Sequence, residues 1–427
     1  MIKQLQLNRN HIKIERALIS VFDKTGVVEL AKTLEEMNVE ILSTGGTYKV
    51  LQEASIKVVD VSEYTKFPEI MNGRVKTINP LIGGGLLGLR DEHENDAKEN
   101  NIQWIDLVIC NLYPFAEATS KENCDEALAL ENIDIGGPTM IRAAAKNLGW
   151  VCVAVDPNDY TNIADELKTT GKISFESRKS FSAKAFGHTA KYDTIIHNYF
   201  KSEKLSEDFS LTFTKHSDLR YGENPHQSGA AYKVSDGKDY NILNAHIRQG
   251  KKLSYNNIMD ADGALACVKE FDKPACVIVK HANPCGVAIG KNILEIYSRA
   301  FKADSLSAFG GIVAFNRKCT KEVAQEITSV FVEIVLAPSF EVEALEIFKK
   351  KKNLRILEIG DFSKRTSKLE VRNIDGGILV QEVDTKTLYE NDLQIVTAKK
   401  PTKKNIEDAL FTWKVLRHAK SNGILIA

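Results

Sequence analysis

Short apolar runs alternate with helical patterns along the first half of the chain, and this alternation constrains the fold more than any other feature. Ala17–Val21 reads as a buried strand, followed by a helical pattern from about Val27 to Met37. Val39–Leu42 reads as a second strand, succeeded by a glycine turn and a helix through Leu51, and Ile56–Val59 as a third. Asp106–Cys110 and Val151–Val155 are further runs of the same kind. Strands alternating with helices predict an α/β domain with a parallel sheet covered on both faces. Ligands of such sheets bind beyond the carboxyl ends of the strands. The polar residues just after each strand are therefore the candidates for function.

A helical pattern from about Ser174 to Phe200 closes this region, and the charged, aperiodic stretch Lys201–Asp208 reads as a linker. The chain of 427 residues is accordingly divided into domains 1–209 and 210–427. The second shows the strand Ala275–Val279, a helix from about Ile293 to Lys302 and the strand Gly311–Phe315. The Lys349–Lys352 run reads as a solvated helix end. Lys+Arg and Asp+Glu both number 57, so the basic excess typical of nucleic-acid and membrane-surface proteins is missing, and neither partner is expected. An anionic ligand must then be met by a local cluster of cations. The 7 cysteines are scattered without a C-x-x-C pair, which fits reduced thiols and argues against a disulfide framework or a bound metal. The start, Met1–Asn8, lacks the apolar core of a signal peptide, and no apolar run nears the roughly 20 residues that span a bilayer. A soluble, cytoplasmic protein is predicted. The last residues, Asn422–Ala427, read as the beginning of a strand that needs further chain to complete it.

In the first domain, Asp23-Lys24-Thr25-Gly26 follows one strand and Ser43-Thr44-Gly45-Gly46-Thr47 the next, each at a helix start. Helix N-terminal N–H groups attract phosphate, and glycine lets a backbone come close. A plain tight turn explains either alone, whereas two on one sheet favour a phosphorylated ligand. Arg74-Val75-Lys76-Thr77 adds two cations and a hydroxyl, which solvated surface charge would also explain. Asn111-Leu112-Tyr113 ends a strand with an amide and a phenol. Asp134-Ile135-Gly136-Gly137-Pro138 marks a sharp turn before the helical stretch that holds Lys146, with simple helix punctuation as the alternative.

In the second domain, Arg220–Gln227 and Ser254–Asp260 are dense in side chains that bind or stack. Lys280-His281-Ala282-Asn283-Pro284-Cys285-Gly286 begins where the strand 275–279 ends. A histidine titrates near neutrality and can shuttle a proton, and an adjacent ammonium stabilises developing negative charge. A satisfied structural histidine is the competing reading; the Lys, Asn, Pro and Gly around His281 favour catalysis. No second Cys or His stands at ligand spacing from His281 and Cys285, which argues against zinc. Ser307–Gly311 supplies another close-approach turn. Glu333 sits in the apolar run 331–337, where a carboxylate is either paired or kept for a ligand's donors.

Six motifs occur in order: Ser-Thr-Gly-Gly-Thr, Gly-Arg-Val-Lys-Thr, Asn-Leu-Tyr-Pro-Phe, Asn-Ile-Asp-Ile-Gly-Gly-Pro, Arg-Tyr-Gly-Glu-Asn-Pro-His-Gln and Val-Lys-His-Ala-Asn-Pro-Cys-Gly. With them the chain, from about Arg16 to its last residue, resembles the bifunctional phosphoribosylaminoimidazolecarboxamide (AICAR) formyltransferase/IMP cyclohydrolase family of purine biosynthesis. The resemblance implies a methylglyoxal-synthase-like parallel-sheet domain followed by a cytidine-deaminase-like α/β transformylase domain, C-terminally incomplete here. It implies formyl transfer from the cosubstrate 10-formyltetrahydrofolate to AICAR, then closure of formyl-AICAR to IMP with loss of water. It also implies a homodimer. Carried over by motif, Phe22, Asp23, Lys24, Thr44, Gly45, Gly46, Thr47, Arg74, Val75, Lys76 and Thr77 cradle the nucleotide. Cys110, Asn111, Asp134 and Ile135 line it. Lys76, Tyr113, Asp134 and Lys146 serve ring closure, Lys146 as proton donor and acceptor. In the second site Arg220, Tyr221, Gly310, Glu333 and Asn422 resemble the ribotide-binding set, with His281 as general base and Lys280 stabilising the oxyanion.

Where the family reads Leu-His-Pro-Lys-Ile-His-Gly-Gly after its Lys-Thr pair, this chain has Ile78-Asn79-Pro80-Leu81-Ile82-Gly83-Gly84-Gly85, and Asn72 replaces an Asp or Gly. These changes flank the cyclohydrolase pocket and predict a blunted ring closure. Family members continue for about another hundred residues, which predicts an incomplete transformylase. The alternative reading is a truncated or decayed paralogue that binds nucleotide without full catalysis. A stand-alone methylglyoxal-synthase-like protein is a third, against which the second domain argues.

Overall fold

The computed structural model describes residues 6–121, 123–234, 240–361, 369–419 and 421–427, so the first five residues of the polar start lie outside it. It forms two compact units, Met1–Leu211 and Thr212–Ala427. Among the described residues no helix is long and apolar enough to cross a membrane.

In the first unit β1 (Arg16–Ser20), β2 (Glu40–Ser43), β3 (Val58–Asp60), β4 (Leu107–Cys110) and β5 (Cys152–Ala154) pair in parallel, in the order β3-β2-β1-β4-β5. The central residues of the strands are apolar because helices cover both faces of the sheet. Ala17, Ile19, Leu107 and Ile109 pack on one face with Val27, Leu30, Ala31 and Leu34 of the helix Val27–Glu36. Leu18, Val108 and Cys110 pack on the other with Met140, Ile141, Ala144 and Ala145, the apolar stripe of the helix Gly136–Lys146. The sheet grows from β1 in both directions, so its order reverses between β1 and β4. Open α/β sheets bind ligands outside the carboxyl ends at such a point.

The second unit holds the hairpin β6 (Phe213–Asp218) and β7 (Ala230–Val234). Its main sheet runs β10-β9-β11-β12-β13-β8. The strands are β8 (His246–Gln249), β9 (Ala275–Lys280), β10 (Asn283–Ile289), β11 (Ile312–Phe315), β12 (Ile334–Ala337) and β13 (Arg355–Glu358). A further hairpin joins β14 (Leu369–Ile374) to β15 (Gly377–Glu382). Among the described residues, the neighbouring pairs β11–β12 and β12–β13 of this sheet are parallel, and β9 runs antiparallel to both β10 and β11. The carboxyl end of β9 therefore lies beside the amino ends of the parallel strands, not beyond their carboxyl ends. Residues 422–427, which read as the start of a strand, carry no regular secondary structure.

Candidate active sites

Loops of the first unit meet at the carboxyl edge of its sheet. Asn111, the first residue after β4, reaches the loop after β1: its Oδ1 accepts the N–H groups of Phe22 (2.7 Å) and Asp23 (2.9 Å), and its Nδ2 donates to the Asp23 carbonyl (3.0 Å). A side chain that satisfies three backbone groups fixes that loop. The hydroxyl and N–H of Thr25 donate to Asp23 and hold its carboxyl below the usual range. Lys24 Nζ donates to the Phe22 carbonyl at 3.1 Å.

The helix Gly45–Glu53 starts inside the glycine pair, with buried Thr44 as an extended N-cap whose side chain makes no capping bond. Its first N–H groups have no intrahelical partner. Gly45 stands at φ 56°, a left-handed backbone that strains any other side chain. A Cβ placed on Gly45 would lie 3.8 Å from Lys76 Nζ, and one on Gly46 would lie 3.8 Å from Lys24 Nζ. Two ammonium groups from separate loops thus converge on one helix N-terminus, and helix dipole and cations together form an anion cradle. Thr47 acts differently from its neighbours. Its buried hydroxyl accepts the Val21 N–H (3.0 Å) and donates to the Val21 carbonyl (2.9 Å), tying the helix to the end of β1. Its backbone N–H is what remains for a ligand.

Beside the cradle, Lys76 Nζ lies 3.8 Å from Glu69 Oε2, while exposed Arg74 pairs with Glu131. Val75 bridges to Ile70 across the turn, and Thr77 Oγ1 packs against Gly136, where a Cβ would meet it at 2.8 Å. Asp134 Oδ1 accepts the Gly137 N–H at 2.8 Å, which caps the helix Gly136–Lys146, and the Asp134 N–H donates to the Tyr192 hydroxyl at 2.8 Å. Burial raises the pKa of Asp134, opposed by the Gly137 N–H, the Tyr113 backbone and the Lys76 ammonium. Burial likewise raises the Tyr113 phenol, with the Asp134 charge adding to it. The Tyr113 ring meets Phe22 edge-on at 5.5 Å. Burial pushes the Cys110 thiol far up, which leaves it an unreactive wall, and Ile135 is exposed at the mouth.

Lys146 is not brought to this cluster. It is the exposed last residue of the helix that Asp134 caps, about 15 Å along the axis from Gly136 at 1.5 Å per residue. The helix runs back along the sheet, so Lys146 stands at the opposite edge. The positions that depart from the family pattern have structural work here. Asn79 Oδ1 accepts the Leu81 N–H at 2.8 Å and caps the helix Pro80–Leu87. Cβ atoms on Gly84 and Gly85 would lie 2.5 Å from Ile102 Cδ1 and 2.6 Å from the Gln103 carbonyl, so both let this helix approach its neighbour closely.

In the second unit Lys280 ends β9 and pairs with Asn283 at the start of β10. His281 and Ala282 form the two-residue turn between them, at φ 53° and 58°. Hairpin turns favour such left-handed residues, but a non-glycine residue held there costs about 1–2 kcal/mol. Lys280 Nζ donates to the Phe309 carbonyl at 2.8 Å, next to Gly310, itself left-handed at φ 74°. Glu333 precedes β12 and pairs through Oε2 with buried Arg355 Nη1 at 2.7 Å, so its carboxylate is already held by a cation. Lys280, His281, Gly310 and Glu333 therefore share one sheet edge. The Arg220 guanidinium lies 5.5 Å over the Tyr221 ring, in the β6–β7 connection. That loop is tied to the helix Tyr255–Val268 by Asn256 Nδ2, which donates to the Glu223 carbonyl at 3.3 Å. The Ala282 N–H donates to Asp260 Oδ1 on the same helix at 2.7 Å. Asn422 sits exposed beyond His418, whose ring meets Glu270 past the far end of that helix. Arg355 is not singled out by the sequence, and Asp260 stands there only within the dense stretch Ser254–Asp260, without a role of its own. An Asp one helical turn after Asn256 was the available signal for the second; nothing local marks the first.

An α/β chain with an anion cradle on one sheet and a Lys-His turn on another is a nucleotide-handling enzyme of two units. The family described as "AICARFT/IMPCHase bienzyme" matches residues 144–427, and an "MGS-like domain" matches residues 26–139. The bifunctional purine biosynthesis protein PurH of Acetivibrio thermocellus is 51% identical over 423 residues, 97% of this chain and 82% of that protein. PurH of Bacillus cereus is 50% identical over 418 residues, with the same coverage of 97% and 82%. Among solved structures, the crystal structure of ForH covers 44% of this chain at 31% identity, with a TM-score of 0.40. The chain belongs to the bifunctional AICAR formyltransferase/IMP cyclohydrolase family.

Proposed function

We propose that the first unit binds the phosphate of formyl-AICAR between Lys24, Lys76 and the Gly45–Gly46 helix start, and closes the ring to IMP beside Asp134. The observation that carries this reading is the convergence of two ammonium groups on one helix N-terminus next to a half-buried carboxylate and a phenol. In ring closure the carboxamide nitrogen bonds to the formyl carbon, and the formyl oxygen leaves as water with one proton from each nitrogen. Asp134, ionised, takes the carboxamide proton; Lys76 and Tyr113 each give a proton to the departing oxygen, and the two protons lost by the nitrogens, one by way of Asp134, restore them. Lys146 stands too far away to share in these transfers within the unit, so we assign them to the three groups that meet.

In the second unit AICAR is received by Arg220, Tyr221, Gly310 and Glu333, while Asn422 lies past the far end of the helix Tyr255–Val268 from them. His281 takes the amine proton as the nitrogen bonds to the formyl carbon of 10-formyltetrahydrofolate. Lys280 balances the oxyanion, and the bond to the folate nitrogen breaks as that nitrogen gains a proton. The family supports a homodimer working in the cytoplasm. Calorimetric titration with IMP and with inosine tests the cradle. IMP is expected to bind at least about tenfold tighter than inosine, and Lys24→Ala to erase most of the difference. Equal affinities for the two would remove the cradle.

A further inference from the structure

We propose that Asp260 is a positioning residue for the Lys280–His281 pair, holding the turn that carries the pair in a left-handed shape its own residues disfavour. The proposal rests on the formyl-transfer reading of the second site and concerns how that site keeps its geometry. His281 and Ala282 both stand at positive φ, yet neither is the glycine or asparagine that such turns usually employ. A His-Ala turn without outside support would sample extended shapes, and the flanking side chains would swing with it. Asp260 supplies that support. Its Oδ1 accepts the Ala282 N–H at 2.7 Å, across 22 residues of sequence. A carboxylate acceptor makes this bond stronger than a neutral one.

The helix behind Asp260 is a firm frame. Ser254 and Asn257 cap its start reciprocally, each side chain accepting the other's N–H at 3.2 Å. The helix runs so close to the turn that a Cβ on Gly263 would lie 3.7 Å from the Ala282 carbonyl. One helical turn before Asp260, on the same face, Asn256 holds the Glu223 carbonyl in the loop of Arg220 and Tyr221. A single helix end thus sets both the reacting pair and the loop assigned to the ribotide. Asp260 does this through the Ala282 amide rather than by touching substrate.

The test compares the full-length wild type with Asp260→Ala, Asp260→Asn and the double variant Asp260→Ala/Ala282→Gly. Two readouts are taken: hydrogen–deuterium exchange of peptides covering 279–284, and steady-state formyl transfer from 10-formyltetrahydrofolate to AICAR. Asp260→Ala is expected to speed exchange of the Ala282 amide about tenfold or more. It should lower kcat about 100-fold, the effect of a small misplacement of reacting groups, with little change in KM for AICAR. Asp260→Asn keeps an acceptor oxygen and should keep most of both. Glycine enters the left-handed region freely, so Ala282→Gly should restore much of the kcat lost in Asp260→Ala without restoring protection. Unchanged exchange in Asp260→Ala, or a kcat loss that glycine does not relieve, overturns the proposal. If the wild type itself makes no formylated product, the formyl-transfer reading fails, and exchange alone decides: faster in Asp260→Ala keeps the assignment, unchanged ends it.

Discussion

At the scale of single residues, the first site works by setting charges against burial. Asp134 is drawn toward its neutral form by burial and back toward its ionised form by the Gly137 N–H and Lys76. Its titration therefore reports on the Lys76 ammonium directly. Lys76→Met removes an interaction that favours the carboxylate, so the Asp134 pKa, already raised, should rise further. The acid form then persists to higher pH than in the wild type. A carboxyl carbon NMR titration checks this; a pKa unchanged or lowered in the variant would show that Lys76 does not face Asp134. Most of this cluster was legible in the sequence, because residues that follow strands must lie at the sheet edge. The roles were less so. Thr47 stood among the phosphate ligands by motif, yet its hydroxyl serves Val21. Lys146 followed Asp134 by only twelve positions, and the helix between them is what carries it away.

At the scale of elements, the helix Pro80–Leu87 shows what replaced the family's loop residues. Three consecutive glycines weaken any helix, and here they differ in what surrounds them. A Cβ on Gly83 meets nothing within 4 Å, whereas one on Gly85 would press into the Gln103 carbonyl at 2.6 Å. Gly83→Ala should therefore stabilise the protein by about 0.5–1 kcal/mol through helix propensity. Gly85→Ala should destabilise it by about 1–3 kcal/mol, since backbone must move to admit the methyl group. Denaturant unfolding separates the two; a Gly83→Ala as damaging as Gly85→Ala would mean the helix is packed otherwise. A pattern of three glycines after a proline gave no helical period, so this helix was invisible beforehand. β10 was hidden for a related reason: Pro284 and Gly286 are poor strand formers, and the strand accommodates them with a register shift between them. The run 331–337 was recognised as apolar, and its pairing with β11 and β13 supplies the strand identity that periodicity alone could not.

At the scale of the whole molecule, each unit places its site on one edge of its own sheet, but by different rules. The first follows the parallel-sheet rule and opens at the carboxyl ends of β1, β2 and β4. The second opens at the amino ends of β11 and β12, because β9, which delivers Lys280, runs against them. Sequence located the Lys-His pair at the end of its strand correctly; strand direction within a mixed sheet depends on pairing over long separations and leaves no local mark. The zero net charge of the chain agrees with both sites drawing on a few placed cations instead of a basic surface. The central claim is that the first unit closes the purine ring with Lys76, Tyr113 and Asp134, and the most direct test supplies formyl-AICAR to the full chain and follows IMP. The wild type should produce IMP, Asp134→Asn and Lys76→Met should lower kcat by about 100-fold or more, and Lys280→Ala, Lys146→Ala and His281→Ala should leave it unchanged. A wild type that binds IMP yet forms none from formyl-AICAR, or a Lys146→Ala as inactive as Asp134→Asn, would contradict the account.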